Sequence, residues 1–313
     1  MAPRPRKRFA QHWLKSESAL QQIVKAASLS GSASSPAPTP PHPPANTTEP
    51  AAASASVVQT GDRVLEIGPG TGILTRRLLA EAAAVVSVEI DRDLCAILHK
   101  TFQQADNFLL LQGDFLELDV DALLEPFPKF QQPNKVVANI PYNITGEILE
   151  KLLGRIAQPN PQPFDSIVLL IQKEVAQRLC AKPGSKEFGA LTVRVQYLAE
   201  CDWICAVPAK AFHPAPKVDS AVVRLRPRAF VPAAHQPKFL DQLVKLGFAT
   251  RRKMLRNNLQ AVVDRDRLSN MLEQLQLNPQ ARAEELGVAD WVALSNALQQ
   301  VATPVLESEA IAE

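Results

Sequence analysis

Two groups of residues have types and spacings suited to chemistry. The first is Asn139-Ile140-Pro141-Tyr142, at the end of a strand predicted over 135–139. It offers a side-chain carbonyl, a backbone carbonyl fixed by the following proline, and a flat aromatic. Asn139 Oδ1 and the Ile140 carbonyl can each accept one hydrogen of an exocyclic amine while Tyr142 stacks on the ring that carries it. An aromatic amine is a poor nucleophile because its lone pair is delocalised. Two acceptors aimed at its hydrogens favour a pyramidal nitrogen and direct the lone pair at an incoming group. Positioning and electrostatics then suffice, and no strong general base is needed.

The second group is Gly68, Gly70 and Gly72, in Val64-Leu65-Glu66-Ile67-Gly68-Pro69-Gly70-Thr71-Gly72. An apolar strand runs into glycines at every second position, and helical spacing follows from Ile73. Such a turn lets backbone N–H groups approach a ligand with no Cβ in the way. The spacing differs from the G-x-G-x-x-G of dinucleotide sites, so no pyrophosphate is expected on the helix. Glu89 closes the next strand, where a carboxylate can accept hydrogen bonds from ribose hydroxyls. Together these residues describe a nucleoside-cofactor pocket.

The elements that must position them alternate. Strands are predicted over 63–67, 85–90, 108–112, 135–139 and 166–171, with helices over 72–82, 92–102, 146–156 and 173–181. That is an α/β pattern, a parallel sheet covered on both faces. Ligands of such sheets bind at the carboxyl ends of the strands, which here read Gly68, Glu89, Asp114 and Asn139. A helix over 188–199, a short strand over 204–207 and a half-exposed, antiparallel strand over 220–226 follow. After Pro227 the spacing is helical over 237–249, 252–263, 266–275 and 288–301, a small all-helical second domain.

Before the sheet come a basic arm, a short amphipathic helix over 16–29, and a stretch of Pro, Ala, Ser and Thr. That stretch lacks large apolar residues and cannot bury enough surface to offset its ordering entropy, so disorder is expected. The expected division is an arm and first helix (1–30), an insertion (31–57), a catalytic domain (58–228) and a helical domain (229–313). The 313 residues contain no apolar run of membrane-spanning length. Arg4, Arg6, Lys7 and Arg8 have no apolar segment behind them, so the N-terminus is not a secretory signal and a cytoplasmic protein is expected. Four scattered cysteines read as reduced core thiols, and no metal-binding set is completed.

The net charge is only +2, yet Lys210 to Arg256 holds eleven Lys and Arg against Asp219 and Asp241 alone. A segregated basic stretch implies a polyanionic partner. Within it, Arg251, Arg252, Lys253 and Arg256 are expected at the start of a helix, contacting phosphates and fixing register. Phe212, before the rigid His213-Pro214-Ala215-Pro216, is a candidate second plate that would sandwich an extruded base with Tyr142. Extrusion costs a few kcal/mol, and stacking returns roughly 1–3 kcal/mol per contact.

Phe9 to Leu14, Glu66 to Gly72, Glu89, Asp114, Asn139 to Tyr142, Phe212 to Val222 and Arg251-Arg252-Lys253 together resemble the bacterial KsgA/RsmA family of small-subunit rRNA adenine-N6,N6-dimethyltransferases. The resemblance spans nearly the whole chain apart from 31–56. It implies a class I, Rossmann-like methyltransferase sheet with a small C-terminal helical domain, and S-adenosylmethionine as methyl donor. The implied substrate is two adjacent adenosines in the 3′-terminal hairpin of 16S rRNA, within the pre-30S subunit. By position it places His12 and Leu14 along the cofactor, Gly68 against its methionine part and Glu89 on its ribose, with Gly70 a further cofactor-binding residue. Asp114 falls on its adenine amine, and Asn139 between cofactor and target. Ala10 and His12 depart from the family's usual F-G-Q-N-F-L. The enzyme is expected to act as a monomer. A large-subunit rRNA adenine methyltransferase, or an assembly factor acting mainly by RNA binding, are the alternatives. An NAD-dependent oxidoreductase would need neither Asn139-Ile140-Pro141-Tyr142 nor a basic second domain.

Overall fold

The computed structural model describes residues 11–31 and 61–300. In chain order the elements begin with β1 (Trp13–Leu14), α1 (Glu17–Ala27), β2 (Arg63–Ile67), α2 (Ile73–Glu81), β3 (Ala84–Glu89), α3 (Arg92–Phe102) and β4 (Phe108–Gln112). Next come α4 (Val120–Leu124), β5 (Lys135–Asn139), α5 (Thr145–Leu153), the short pair β6 (Gly154–Arg155) and β7 (Gln158–Pro159), and β8 (Ser166–Gln172). Then follow α6 (Lys173–Leu179), α7 (Ala190–Leu198), β9 (Ala199–Val207), β10 (Phe212–His213) and β11 (Ser220–Pro227). Four helices close the described chain: α8 (Pro237–Gly247), α9 (Leu255–Asn258), α10 (Arg265–Gln274) and α11 (Val288–Gln300).

The main sheet has seven strands in the order β4-β3-β2-β5-β8-β11-β9. The first five are parallel, and β11 runs antiparallel to both of its neighbours. Strand residues alternate between two cores, as a two-residue period requires. Val137, Val168 and Leu170 join α1 and α2 in one cluster. Val136, Ala138, Ile167, Leu169 and Ile171 join α5 and α7 in the other. The second cluster continues without a break into α8 and α11, through Leu240, Leu243 and Trp291. The near-continuous apolar strands are therefore those of a sheet buried on both faces.

The helix expected over 146–156 ends at Leu153, where Gly154–Arg155 turns into β6, and three further elements differ from the sequence pattern in extent or exposure. The 204–207 strand extends back to Ala199, because the charged residues Glu200 and Asp202 on this edge strand pair across to the arginines of β11. With β9 on its outer side, β11 is mostly buried rather than half-exposed. The helix expected over 252–263 shrinks to α9. Residues 250–254 are diverted into a turn (Lys253 N–H to Thr250 O, 3.1 Å) and a β-bridge between Met254 and Arg282, and Asp264 caps the next helix.

α1 is capped by Ser16, whose side chain accepts from Ala19 N–H, and it buries Leu20, Ile23, Val24 and Ala27 against the sheet. Its end is tied to the start of β2. Asp62 N–H donates to Ser30 O (2.8 Å), Ser30 N–H donates to Asp62 Oδ2 (2.6 Å), and Lys135 Nζ bridges Asp62 and the Ala27 and Ser28 carbonyls. Hydrogen bonds from Lys135, Asn134 and Ser30 hold the Asp62 carboxyl below its usual range against the opposing effect of its burial, which is the largest single influence. The predicted insertion, all but Gly31, lies outside the described residues. Because Ser30 and Asp62 are already clamped, replacing residues 32–60 with a short Gly-Ser linker is expected to change stability by no more than roughly 1–2 kcal/mol. Thermal unfolding and turnover of the deletion variant check this; a large loss of either would give the segment a structural role.

Candidate active site

The carboxyl ends of β2, β3, β4 and β5 converge on a cavity of about 320 Å³. Gly68, Gly70, Glu89, Asp114, Asn139, Ile140, Pro141, Tyr142 and His12 all line it, nine of the residues expected from sequence. Its size suits a small organic ligand.

The floor is the turn after β2. Gly68 and Gly70 hold φ of +67° and +60°, a left-handed conformation that side-chain-bearing residues rarely adopt. Gly68 N–H continues the ladder to Val88 O (2.9 Å), while Gly70 N–H donates to Glu89 Oε2 (3.1 Å). A Cβ on Gly70 would meet Trp13 Cδ1 at 3.0 Å, so the arm lies directly on this turn. The other Glu89 oxygen accepts from Asp91 N–H (2.9 Å). Burial pushes the Glu89 carboxyl up, opposed by those two N–H groups. Each carboxylate oxygen retains a lone pair for a ligand hydroxyl. Asp114 Oδ1 is anchored by Leu116 N–H (2.9 Å).

The roof is the arm. β1 pairs antiparallel with β10, Trp13 opposite His213 and Leu14 opposite Phe212, and Lys15 N–H donates to Ala211 O (2.8 Å). His12 Nδ1 hydrogen-bonds with Pro214 O at 2.8 Å, and Gln11 Nε2 donates to Asp91 Oδ2 (3.1 Å). Asn139 Nδ2 donates to the His12 carbonyl (3.1 Å). A carbonyl can only accept, so this bond fixes which way the amide is turned and leaves Oδ1 as the group's acceptor for a ligand. Tyr142 Oη bonds with Ser220 Oγ (2.6 Å), and its ring lies nearly parallel to His12, 18° apart with centroids at 6.0 Å.

Two expected side chains do not line this cavity. Phe212 is 2% exposed, packed with Leu14 and α1 in the core, and absent from the cavity lining, so in this conformation it offers no face to a base. The ring beside Tyr142 is His12. Leu14 is buried behind the glycine turn rather than along the cavity. Both side chains are consumed by the β1–β10 strap. Arg4, Arg6, Lys7, Arg8, Phe9 and Ala10 lie outside the described residues.

In the sequence Glu66 stands out only as part of the glycine motif. It is 1% exposed, and Oε2 accepts from Thr75 Oγ1 (2.7 Å) and Ser87 Oγ (2.6 Å). Among the described residues Oε1 has no partner, nor does buried Trp13 Nε1, and both residues line a cavity of about 30 Å³ under the turn. Burial raises the Glu66 carboxyl from 4.5 to about 7, against the two hydroxyls. Its folded state therefore favours the proton. The stability this gives is complete below pH 4.5 and is lost as pH rises through about 7, by something on the order of 3 kcal/mol. Glu66→Gln retains an acceptor for both hydroxyls and mimics the protonated acid. Urea unfolding of cofactor-free protein should show the variant gaining on the parent between pH 5 and pH 8; a constant difference would reject the assignment.

The basic stretch is less uniform than its composition. Arg224 pairs with Asp202 (2.9 Å), Arg226 with Asp202 (2.6 Å) and Glu200 (3.0 Å), and Arg228 reaches Glu200 at 3.6 Å. The neutralising carboxylates sit on β9, outside the counted window. Arg251, Arg252 and Lys253 are exposed but occupy a turn rather than a helix start, and Arg256 is half-buried on α9. Sequence reasoning also passed over Gln11, Trp13 and Phe115 in the lining. Gln11 and Trp13 flank His12, and their place in the arm was the available signal; nothing local marked Phe115.

The profile of the ribosomal RNA adenine dimethylase family matches residues 3–300. The chain is 65% identical over 295 residues to the ribosomal RNA small subunit methyltransferase A of Trichormus variabilis, covering 94% of this chain and 98% of that protein. Identity to the protein of that name from Nostoc punctiforme is 63% over 295 residues, covering 94% and 95%. Among solved structures, a dimethyladenosine transferase from Plasmodium falciparum superposes with a TM-score of 0.69 at 24% identity, covering 93% of this chain and 98% of that one. The 23S rRNA methyltransferase ErmE gives 0.67 at 26% identity, covering 92% and 100%.

Proposed function

The chain belongs to the ribosomal RNA adenine dimethylase family, and we propose that its cavity dimethylates the N6 amines of two adjacent adenosines in the 3′-terminal hairpin of 16S rRNA. The protein is an S-adenosylmethionine-dependent methyltransferase of class I fold acting on small-subunit rRNA. The relatives at 63% and 65% identity carry the small-subunit name, which outweighs a large-subunit likeness at 26%.

The cavity fits the cofactor by the chemistry of its donor set. Glu89 offers acceptors for a ribose diol, Asp114 an acceptor for an adenine amine, and Gly68 with Gly70 a turn bare of side chains. When bound, the cofactor supplies an electrophilic methyl group on sulfur. Asn139 Oδ1 and the Ile140 carbonyl hold the two hydrogens of the target amine, Pro141 fixes the backbone between them, and Tyr142 stacks on the adenine. His12 contributes its carbonyl to orient Asn139. Arg251, Arg252, Lys253 and Arg256 contact RNA phosphates, leaving recognition to RNA shape. The enzyme acts as a monomer in the cytoplasm on this reading, and no described helix is long and apolar enough to cross a membrane.

The observation that carries this reading is the Asn139 amide, turned by the His12 carbonyl at the wall of the cavity that Glu89 shares. The test is incubation of labelled S-adenosylmethionine with under-methylated small subunits and, in parallel, with large subunits, followed by RNA digestion. Labelled dimethyladenosine is expected; label confined to large-subunit RNA would favour the alternative enzyme, and no transfer would favour an assembly factor.

A further inference from the structure

The turn after β4 carries two residues of the cavity wall, Asp114 and Phe115. Its backbone groups are sorted onto two sides. The N–H groups are spent on Asp114: Leu116 N–H donates to Oδ1 (2.9 Å), and Glu117 and Leu118 N–H donate to the Asp114 carbonyl (both 3.0 Å). The carbonyls converge on one cation. Lys151 Nζ donates to Phe115 O (2.6 Å), Leu118 O (2.7 Å) and Leu116 O (3.2 Å). An ammonium has three N–H donors, and this turn takes all of them. The same Nζ lies 4.9 Å from the centroid of the Phe115 ring, within the range of a cation–π contact.

Lys151 is absent from the cavity lining. It projects from the last turn of α5 into a separate cleft of about 860 Å³, which shares Phe115 with the cavity wall. Burial pushes its ammonium down from the usual lysine range, opposed by the carboxylates of Asp119 and Asp114. Three carbonyl dipoles aimed at one point repel one another, and charge-assisted bonds to the ammonium offset that repulsion. The helix that presents it is firmly seated, with Ile148, Leu149, Leu152 and Leu153 buried. At the other end of α5, Thr145 Oγ1 donates to Tyr142 O (3.2 Å). One helix therefore carries the Asn139–Tyr142 segment at its start and a clamp on the Asp114 turn near its end.

We propose that Lys151 is a positioning residue for the adenine end of the cofactor. By holding the carbonyls of Phe115, Leu116 and Leu118 it sets the Asp114 carboxylate and the Phe115 ring where an adenine amine and its ring meet them. The inference rests on the reading of Asp114 as the acceptor for that amine. Lys151 touches neither cofactor nor target and acts through the turn alone.

The experiment measures, by calorimetry, binding of S-adenosylhomocysteine and of its analogue lacking the 6-amino group. The proteins are the parent, Asp114→Ala, Lys151→Met and Lys151→Gln. The parent should prefer the amine-bearing ligand by about tenfold or more, the value of an amine held by a carboxylate. Lys151→Met should lose about five- to tenfold in affinity for S-adenosylhomocysteine and less than about twofold for the analogue, so most of the preference disappears. Lys151→Gln, which has two donors and no charge, should show the same split to a smaller degree, and it stands in if Lys151→Met does not fold. Equal losses for both ligands would overturn the proposal, because a merely structural lysine weakens the pocket without regard to the amine. Parent-level preference in the Lys151 variants, with Asp114→Ala blind to the amine, would overturn it too and leave the Asp114 reading standing. If Asp114→Ala still discriminates as the parent does, that reading fails and the proposal falls with it.

Discussion

Replacing Asn139 with alanine should lower the rate of methyl transfer by about 10²–10³-fold at saturating cofactor, the cost of deleting one preorganised acceptor or donor at a reacting centre. Affinity for S-adenosylhomocysteine should change far less, since the ribose and adenine acceptors are untouched. The variant also loses the bond to the His12 carbonyl, so some of the effect could come from a displaced arm. Asn139→Asp separates the two. It keeps an acceptor facing the amine but cannot donate to His12 O, the partner 3.1 Å away. If the acceptor matters most, Asp retains much more of kcat than Ala and shows its defect mainly in KM. If arm docking matters most, the two variants fall together. Parent-level kcat in Asn139→Ala would refute the role outright.

What the sequence made legible follows the range of each interaction. Gly68 and Gly70, Glu89, Asp114 and Asn139 could be read because each sits at the end of its own strand, a parallel sheet puts such ends on one edge, and β4, β3, β2 and β5 are neighbours in the sheet. The burial of Phe212 and Leu14 was not legible, for the opposite reason. They pair with one another across nearly two hundred residues, and no local pattern indicates that a two-residue strap will use up both side chains. The arginines of β11 show the same limit, since their neutralisation by Glu200 and Asp202 depends on an antiparallel register that composition cannot express. Glu66 falls between these cases. Its position in the glycine motif was plain, but alternation along β2 turns it toward the α1–α2 face, and only there do Thr75 and Ser87 surround it.

The second large effect is expected at Glu89. Its two oxygens already organise the site by accepting from Gly70 and Asp91 N–H groups, so Glu89→Ala both removes the ribose acceptor and leaves two N–H groups without their partner. Each hydrogen bond to a charged group contributes about 1.5–3 kcal/mol, so S-adenosylhomocysteine should bind about 10²-fold more weakly or worse. That loss alone would not prove contact with ribose, because a collapsed glycine turn would produce it too. A cycle that varies the ligand as well resolves the ambiguity. The parent should discriminate against 2′-deoxy S-adenosylhomocysteine by about tenfold or more, the value of one hydroxyl held by a carboxylate. Glu89→Ala, although weaker for both ligands, should no longer tell them apart. Equal discrimination in parent and variant would mean that Glu89 shapes the turn without touching the sugar, and the hydroxyl's partner would have to be sought elsewhere in the cavity.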